Sequence, residues 1–255
     1  MNYGIQISAS GALTSIHRQD ALTGNLANLN TAGFKPITAG TKFRESVREE
    51  DGVWNLPSNR LLEKLGAGAL ASENTIDFSQ GPIKVTGSPL DVAIEGDGFF
   101  AVGFGDSTAL SRDGRLSLNS EGMLVQSASG RPVLDPGGQP IFVDSTQGPV
   151  EIHGDGLITQ RGLAIGQLGL VDVPDRSVLT KHGDGLFVSK HGDPLTTVEG
   201  TGVFRQGSVE GSGVDEIRAM MRIQGAARSA QGNIGMIDMQ NEMLGQTINR
   251  FGRIA

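Results

Sequence analysis

A regular apolar repeat runs through the C-terminal end of this 255-residue sequence. Its members alternate at spacings of three and four, the pattern of a helix that buries one continuous line of side chains. The repeat predicts a helix over residues 213–255, and about 40 helical residues would extend about 60 Å, the length of a coiled-coil helix. The residues of this C-terminal seam are Met220, Ile223, Ala227, Ala230, Ile234, Ile237, Asn241, Leu244, Ile248 and Phe251.

Capping residues support this predicted helix, whereas its glycines weaken it. Ser212 is the predicted N-cap, and Asp215 and Glu216 in the first turn favour the helix dipole. Glycine in a helix interior costs about 1 kcal/mol relative to alanine, so the isolated helix should be poor. We expect neighbouring helices to approach closely at the glycines that lie off the seam. These are Gly225, Gly232, Gly235 and Gly245.

The first 34 residues predict a second helix, and it is nearly uncharged. Between Tyr3 and Leu29 only Arg18 and Asp20 carry a formal charge. A helix facing water normally carries charges on its polar face, whereas this face holds Ser, Thr, Asn and Gln. We therefore expect protein nearly all round this helix, which a polymer of subunits provides. Its apolar line consists of Ile5, Ala9, Ala12, Ile16 and Leu26, continued by Gln19 and Thr23.

An Asn-rich run ends the N-terminal helix. Residues 25–35 are Asn-Leu-Ala-Asn-Leu-Asn-Thr-Ala-Gly-Phe-Lys, and Gly33 can stop a helix because only glycine enters the left-handed region without a Cβ penalty. The run resembles the N-terminal motif of bacterial flagellar axial proteins, most closely the basal-body rod proteins. Gly24 departs from that motif, which usually has a second Asn there. The corner residues that we expect to serve assembly are Asn25, Asn28, Asn30, Gly33 and Phe34.

The middle of the chain divides into two zones. Residues 35–71 combine a charged run with Trp54, Pro57 and the helix-breaking Gly66 and Gly68, which predicts an extended connecting segment. Residues 72–212 carry short apolar runs separated by Asp-Gly and Glu-Gly turns at spacings of about eight to twelve residues. That pattern indicates a mainly β domain, long enough for a core of its own.

A segment of the β zone extends the resemblance. Residues 86–100 are Thr-Gly-Ser-Pro-Leu-Asp-Val-Ala-Ile-Glu-Gly-Asp-Gly-Phe-Phe, similar to a second signature of the axial proteins. In this signature Gly96 and Gly98 permit a tight turn, and Val92 and Ile94 alternate onto a buried face. One of the two Phe residues that follow should supply bulk to the core.

Residues 207–215, followed by Ala219-Met220-Met221, resemble the C-terminal signature of the same family. Gly213 replaces the usual Asn, and residues 224–227 lack the usual Gln-Arg-aromatic run. The alternative of a self-contained amphipathic helix packed on the β domain stays open.

Nothing in the sequence favours catalysis. Gly-x4-Gly-Lys-Ser/Thr is missing, and Gly96-Asp97-Gly98 precedes a strand instead of opening a helix. His-Gly-Asp occurs at 153–155, 182–184 and 191–193, each between apolar runs, where a turn is expected rather than metal ligands. We predict no enzyme, no cofactor, no metal and no small-molecule substrate. The net charge of −7 without a basic cluster argues against nucleic acid.

Export without a cleaved signal peptide is expected. The first basic residue is Arg18, too late for a signal-peptide n-region, and no apolar stretch follows it. The chain contains no cysteine, so it needs no disulfide outside the cytoplasm. The family resemblance implies passage through the flagellar type III export apparatus to the periplasm-spanning rod, without insertion into the membrane.

These observations predict an α+β chain. Residues 1–34 and 213–255 would form a discontinuous, coiled-coil-like helical domain, 35–71 the connection and 72–212 the outer β domain. The resemblance implies a structural subunit that assembles with itself and other rod and hook axial subunits into a hollow drive shaft around the export channel. The proximal rod is the preferred assignment, with a distal rod or hook-type protein as the alternative. A secreted β-rich adhesin or β-solenoid enzyme is the alternative from another class.

Two substitutions express this hypothesis. Ile234→Asp should break assembly, because it places a carboxylate on the seam. Gly33→Val should be much worse than Gly33→Asn, since Asn tolerates the left-handed region best after glycine.

Overall fold

A computed structural model of the chain describes residues 3–45, 66–105 and 107–251. Most of the charged run in the connecting segment, together with Trp54, Pro57 and the side chain of Phe251, lies outside the described residues. Two long terminal helices pack together and a β-rich region lies between them in sequence, which confirms the predicted α+β class.

The chain divides by contacts into two compact units. The helical unit comprises Met1–Ala27, Ile37–Thr75 and Asp215–Ala255, and the β unit comprises Asn28–Pro36 and Ile76–Val214. Residues 28–36 group with the β unit because Gly33 and Lys35 bond to Glu210. The described parts of the predicted connecting segment from residue 37 onward group with the helices.

The helical unit contains two helices and a two-stranded ribbon. Helix α1 spans Tyr3–Ala27 and helix α2 spans Glu216–Phe251. Strands β1 (Ile37–Phe43) and β2 (Ala69–Ile76) form the ribbon, so the predicted extended connection begins and ends in paired strands. A Cβ on Gly40 would overlap the carbonyl oxygen of Glu73, which is why the two strands can approach this closely only at a glycine.

Helix α2 begins later than predicted. The Asp215 carboxylate accepts a hydrogen bond from the Arg218 backbone N–H at 3.0 Å, which makes Asp215 the N-cap. Ser212 instead accepts a longer bond of 3.3 Å from the Val214 N–H within the preceding turn. The prediction of Ser212 as the cap was therefore wrong by three positions. No helix in the described ranges is long and apolar enough to cross a membrane.

The β unit is built from antiparallel pairs. The strands are β3 (Ile83–Val85), β4 (Val92–Glu95), β5 (Phe99–Phe104), β6 (Ser107–Ser111), β7 (Leu116–Leu118), β8 (Leu124–Gln126), β9 (Val150–Ile152), β10 (Leu157–Gln160), β11 (Leu163–Gln167), β12 (Leu170–Asp172), β13 (Leu179–His182), β14 (Leu186–Ser189), β15 (Val198–Glu199), β16 (Val203–Gln206) and β17 (Ser208–Glu210). The largest sheet has the order β13-β14-β6-β5-β12-β15, and the smaller sheets are β11-β10-β9, β16-β4, β17-β3 and β7-β8.

The second signature lies at the centre of two cores. Val92 and Ile94 on β4 are buried as predicted, and the turn that follows has positive φ at Gly96 (99°) and Gly98 (134°). Both Phe residues supply bulk. Because successive strand residues point to opposite faces, Phe100 enters the larger core and Phe99 a smaller one.

The three His-Gly-Asp segments form turns, as predicted. In the first, the Gly156 N–H donates to the His153 carbonyl at 3.0 Å. In the second, Asp184 and Gly185 have positive φ, and Gly192 does so in the third. Within the described ranges no group of three or more His, Cys, Asp or Glu side chains could hold a metal ion.

Candidate functional site

Helices α1 and α2 pair in antiparallel orientation through small residues. A Cβ on Gly4 would approach the Gln240 side chain to 2.8 Å, and one on Gly11 would approach the Asn233 side chain to 2.9 Å. The two contacts are seven residues apart on each helix, in opposite directions. A hydrogen bond of 3.1 Å between the hydroxyls of Ser15 and Ser229 continues the same line.

The buried side chains of this pair are mostly small, such as Ser8, Ala12 and Ser15 on α1, and the two glycines of α1 leave room for Gln240 and Asn233 of α2. The apolar seams predicted from sequence therefore only partly coincide with these buried side chains. Ala12 and Ala230 are buried. The half-buried seam residues are Ile5, Leu26, Ile223, Ala227 and Ile237. The exposed ones are Ile16, Met220, Ile234, Asn241, Leu244 and Ile248.

The glycines of α2 do not contribute to this contact. At each of them a Cβ would meet nothing in the described residues within 4 Å. The close approach predicted there is not made by α1, whose own glycines Gly4 and Gly11 fill that role. The four α2 glycines are Gly225, Gly232, Gly235 and Gly245.

A second side of α1 contacts the β1–β2 ribbon. The Ser10 hydroxyl accepts a hydrogen bond from the Ala69 N–H at 3.2 Å. At the helix end, the Asn25 amide donates to the Ile37 carbonyl at 2.7 Å and accepts from the Ile37 N–H at 2.8 Å. Asn25, the first residue of the motif, therefore fixes the chain where β1 begins. No side chain without both a donor and an acceptor could make this pair of bonds.

The corner at residues 28–36 belongs to the β unit. Gly33 has a φ of 65°, which confirms the predicted left-handed conformation, and its N–H donates to the Glu210 carbonyl at 2.8 Å. A Cβ on Gly33 would also overlap the backbone of Arg112. Gly33 is thus required for backbone conformation and for space. The sequence ranks Gly33→Val as much worse than Gly33→Asn, but both variants carry the Cβ that would overlap, so the structure leads us to expect similar losses from both.

The Asn residues before this corner have different surroundings. Asn28 is half-buried and accepts a hydrogen bond from the Thr31 hydroxyl at 3.1 Å, whereas Asn30 is exposed. The Thr31 N–H also donates to the Asn28 carbonyl at 3.2 Å. These local bonds close the turn that follows α1.

Three charged residues that lie far apart in sequence meet at the corner formed by residues 28–36. The Lys35 ammonium is 2.6 Å from one carboxylate oxygen of Glu210, and the Arg112 guanidinium is 3.1 Å from the other. All three side chains are buried, with Lys35 only 1% exposed. Lys35 also donates to the Ser79 carbonyl at 2.8 Å, and the Gly81 N–H donates to Glu210 at 2.7 Å.

The ion cluster of Lys35, Arg112 and Glu210 is buried from solvent. Burial lowers the pKa of Lys35, with Arg112 adding to that effect, while the attraction of Glu210 opposes it. Glu210 is the only carboxylate bonded to either cation within the described residues. Lys35 lies in the N-terminal motif and Glu210 in the C-terminal signature, but nothing in the sequence pattern linked them to each other or to Arg112.

The Phe34 ring contacts the side chain of Lys181. The Lys181 ammonium is 3.5 Å from the centroid of the Phe34 ring, a cation–π contact. Lys181 has no hydrogen-bond acceptor among the described residues, and burial lowers its pKa to about 8. Phe34 is half-buried, so it is held by this cation as well as by apolar burial.

The contacts described above are packing contacts, and the comparisons with known proteins also point to a structural protein. Residues 93–160 match the flagellar hook protein FlgE/F/G D1 domain. The flagellar basal-body rod protein FlgF of Caulobacter vibrioides is 31% identical over 259 residues, which cover 100% of both chains. The chain belongs to the flagellar basal-body rod protein family. This rod protein is also similar to FlgF of Mesorhizobium japonicum, 28% identical with 99% of both chains covered. FlgG of Bacillus subtilis is 29% identical, with 90% of this chain and 92% of the relative covered.

Family membership confirms the resemblance seen in the sequence. Rod proteins are structural, so the prediction that this chain is not an enzyme is also confirmed. The alternative of an adhesin or β-solenoid enzyme is thereby removed. The relatives include both FlgF and FlgG proteins, so the family is that of rod proteins in general.

Proposed function

We propose that this rod protein polymerises with itself and other axial subunits into the hollow drive shaft of the flagellum, which transmits torque and encloses the export channel. One observation carries the proposal. Both terminal helices pair through their small residues and leave large apolar side chains on the outside. Ile234 is 47% exposed, and Met220, Leu244 and Ile248 on the same helix are exposed as well.

Energetics favours covering these side chains by other subunits. Burying one large aliphatic side chain contributes about 1.5–3 kcal/mol. The several large apolar side chains exposed on the two helices would therefore favour association strongly if other subunits covered them. Large exposed apolar surfaces mark protein interaction sites. The terminal helices would then line the inner tube.

The test of this proposal is co-assembly. An epitope-tagged chain should copurify with isolated basal bodies, and deletion of its gene should abolish motility until the tagged chain is supplied. A tagged chain that restores motility but is missing from purified basal bodies would contradict a role as a rod subunit. Wild-type flagellin bearing the same tag controls for filament fragments in the preparation.

Within the rod we propose the proximal position. Support comes from two FlgF relatives, those of Caulobacter and Mesorhizobium, which align over 99–100% of both chains. Gold-labelled antibody should bind near the cytoplasmic end of rods from which the hook has been removed. Labelling near the hook would favour the distal rod instead.

We further propose export through the flagellar type III apparatus without cleavage. The nearly uncharged N-terminal helix and the lack of cysteine are compatible with this route. Mass spectrometry of the chain from basal bodies should find residues 2–20 intact. A shortened N-terminus would indicate a different route.

A further inference from the structure

The β unit contains a polar pocket beside the turn between strands β4 and β5. Its volume is about 330 Å³. Pockets that bind small molecules usually measure about 300–1,000 Å³, so this one has room for a small ligand. All of its lining residues belong to the β unit, and it will be called the arginine pocket. The lining residues are Phe78, Ser79, Gln80, Gly96, Asp97, Arg112 and Arg176.

Arg112 brings an unused hydrogen-bond donor to the arginine pocket. Its side chain is only 2% exposed. One Nη nitrogen donates to Glu210 at 3.1 Å, and the other donates to the Gly96 carbonyl at 2.8 Å. The Nε nitrogen is buried and has no acceptor among the described residues. A buried N–H without an acceptor is costly, so it indicates that an acceptor binds beside it.

Arg176 supplies the second guanidinium of the pocket. Its Nε and one Nη nitrogen donate to the Asp172 carboxylate at 3.2 and 2.8 Å. The same Nη nitrogen donates to Asp97 at 2.8 Å. None of these bonds uses the second Nη nitrogen, which therefore remains free to donate to a ligand.

A buried aromatic ring holds both guanidiniums in place. The Cζ atoms of Arg112 and Arg176 lie 5.2 and 5.7 Å from the centroid of the Phe99 ring. Phe99 is fully buried, and cation–π contacts of this length are attractive. The two cations are thus positioned before any ligand arrives.

The lining of the pocket has an excess of one positive charge. Two guanidiniums face a single carboxylate, that of Asp97, because the other partners of the arginines do not line the pocket. The pKa of Asp97 is lowered, first by the hydrogen bond from Arg176 and then by its charge, with Arg112 and Lys35 adding to the effect. A carboxylate is therefore already stabilised in its ionised form at the rim of the pocket.

We propose that the arginine pocket binds a carboxylate group, which accepts hydrogen bonds from the Nε of Arg112 and the second Nη of Arg176. A carboxylate has two oxygens in one plane, and guanidinium groups bind such a pair better than a single acceptor. Its one negative charge balances the excess in the lining. The carboxylate belongs either to a free small acid or to an acidic side chain of another protein, and both present the same chemistry.

Asp97 acts as a competitor inside the pocket. It is 65% exposed and holds one donor of Arg176, so an incoming carboxylate must share that guanidinium with it. Like charges that share a cation repel each other. Neutralising Asp97 should therefore strengthen binding of the ligand, whereas loss of a residue with a merely structural role would not.

The test uses the purified full-length chain. Sodium acetate is titrated at constant ionic strength, with sodium chloride as the balancing salt, and the arginine Nε–H signals are followed by NMR spectroscopy. Acetamide has the shape of acetate without its charge and serves as the control ligand. We expect acetate to shift the Arg112 Nε–H signal to saturation and acetamide not to. The proposal is overturned by saturation with acetamide, by saturation with sulfate but not acetate, or by no saturation with acetate.

Three variants locate the binding in the pocket. Asp97→Asn should bind acetate at least about three-fold more tightly, because it removes the repulsion. Arg176→Gln should bind at least about ten-fold more weakly, since a hydrogen bond to a charged group is lost. The matched control is Asp193→Asn, which removes a carboxylate from an exposed turn of the same unit and should leave the affinity unchanged.

Asp97→Asn decides the outcome even if Arg176→Gln fails to fold, because Asp97 is an exposed side chain. Unchanged or weaker acetate binding by Asp97→Asn overturns the proposal. Equal strengthening by Asp193→Asn also overturns it, because the effect would then come from net charge alone.

Basal bodies distinguish the two sources of the carboxylate. Arg176→Gln that melts like the wild type is expressed in place of the wild-type chain, and its content in isolated basal bodies is measured. Reduced content assigns the carboxylate to a neighbouring subunit, and full content assigns it to a free small acid. Both results agree with a carboxylate site, and acetate binding to the purified chain does not depend on the proposed role in the rod.

Discussion

Gly33 and Gly130 adopt the same backbone conformation in different surroundings. Their φ angles are 65° and 66°, but a Cβ on Gly33 would overlap the Arg112 backbone whereas a Cβ on Gly130 would meet nothing within 4 Å. The two positions separate the requirement for positive φ from the requirement for space.

We predict that Gly33→Asn and Gly33→Val abolish motility to the same extent, while Gly130→Asn is tolerated. Asn accepts the left-handed region at both sites, so the difference between them reports the overlap alone, which we expect to cost at least about 2 kcal/mol. Swimming assays at matched expression measure it. Substantially better motility with Asn than with Val at Gly33 would show that backbone conformation dominates.

Glu210 is the residue on which the ion cluster depends. Glu210→Gln leaves the cations of Lys35 and Arg112 buried without a counter-charge, and removing one partner of a buried charge network costs about 3–5 kcal/mol. The urea midpoint of the purified Glu210→Gln variant should therefore lie well below that of the wild type. The control is Glu95→Gln, which breaks the exposed pair with Arg205 and should cost less than about 1 kcal/mol. Similar urea midpoints for the two variants would argue against a buried ion cluster that depends on the charge of Glu210.

Lys181 predicts a pH dependence of stability. Burial lowers its pKa from 10.5 to about 8, so between those values the unfolded chain binds the proton and the folded chain does not. The free energy of unfolding should therefore rise with pH from about 8 to 10.5, since the penalty of burying the charge disappears. Lys35, whose pKa is also lowered, acts in the same direction. The comparison is therefore between wild type and Lys181→Met, in which the rise should be smaller. An unchanged slope would mean that Lys181 titrates normally.

At the scale of elements, the terminal helices separate folding from assembly. Their small residues join α1 to α2 within the chain, and their large apolar residues remain outside. A substitution on the outside should then affect polymerisation without affecting the single chain.

Ile234→Asp tests this separation. The side chain is 47% exposed in the single chain, so thermal melting of the purified variant should match wild type. In the assembled rod a carboxylate would be buried without a partner, at a cost of several kcal/mol, and incorporation should fail. Gln231→Asp adds the same charge at an exposed polar position of the helix and should assemble. Incorporation of Ile234→Asp at wild-type levels would remove Ile234 from the assembly surface.

At the scale of the whole molecule, the two units should differ in stability before assembly. The β unit contains two cores built on Phe100 and Phe99, whereas the helical unit buries mainly Ala and Ser and has exposed glycines in α2. Small side chains contribute little burial energy to offset the entropy of ordering two long helices.

Limited proteolysis of the monomer should therefore remove both ends and leave a resistant core of about residues 76–214, the main segment of the β unit. Mass spectrometry of the time course identifies the fragments. The same digestion of isolated basal bodies serves as the control, because covered helices should resist cleavage. Cuts inside 76–214 before the ends are lost would reverse the assigned order of stability.

Local sequence determined much of this protein. The apolar periodicities placed helices at both ends and strands between them, the glycines at 33, 96 and 98 specified positive φ, and the His-Gly-Asp segments specified turns. Each of these features is decided within a few residues by backbone sterics and side-chain spacing, so the sequence suffices. The motifs likewise identified the rod family.

Tertiary structure decided which surfaces meet. A 3-4 repeat shows that a helix face is apolar but not what covers it, and here Gly4 and Gly11 brought the helices together on a different face from the larger side chains. Lys35 and Glu210 are 175 residues apart, and their pairing depends on a buried environment that exists only when the corner is docked on β17. The Cβ overlap at Gly33 and the pKa of Lys181 are likewise properties of neighbours that the fold supplies. This is why the sequence alone ranked Gly33→Asn above Gly33→Val, whereas the structure gives both variants the same overlap.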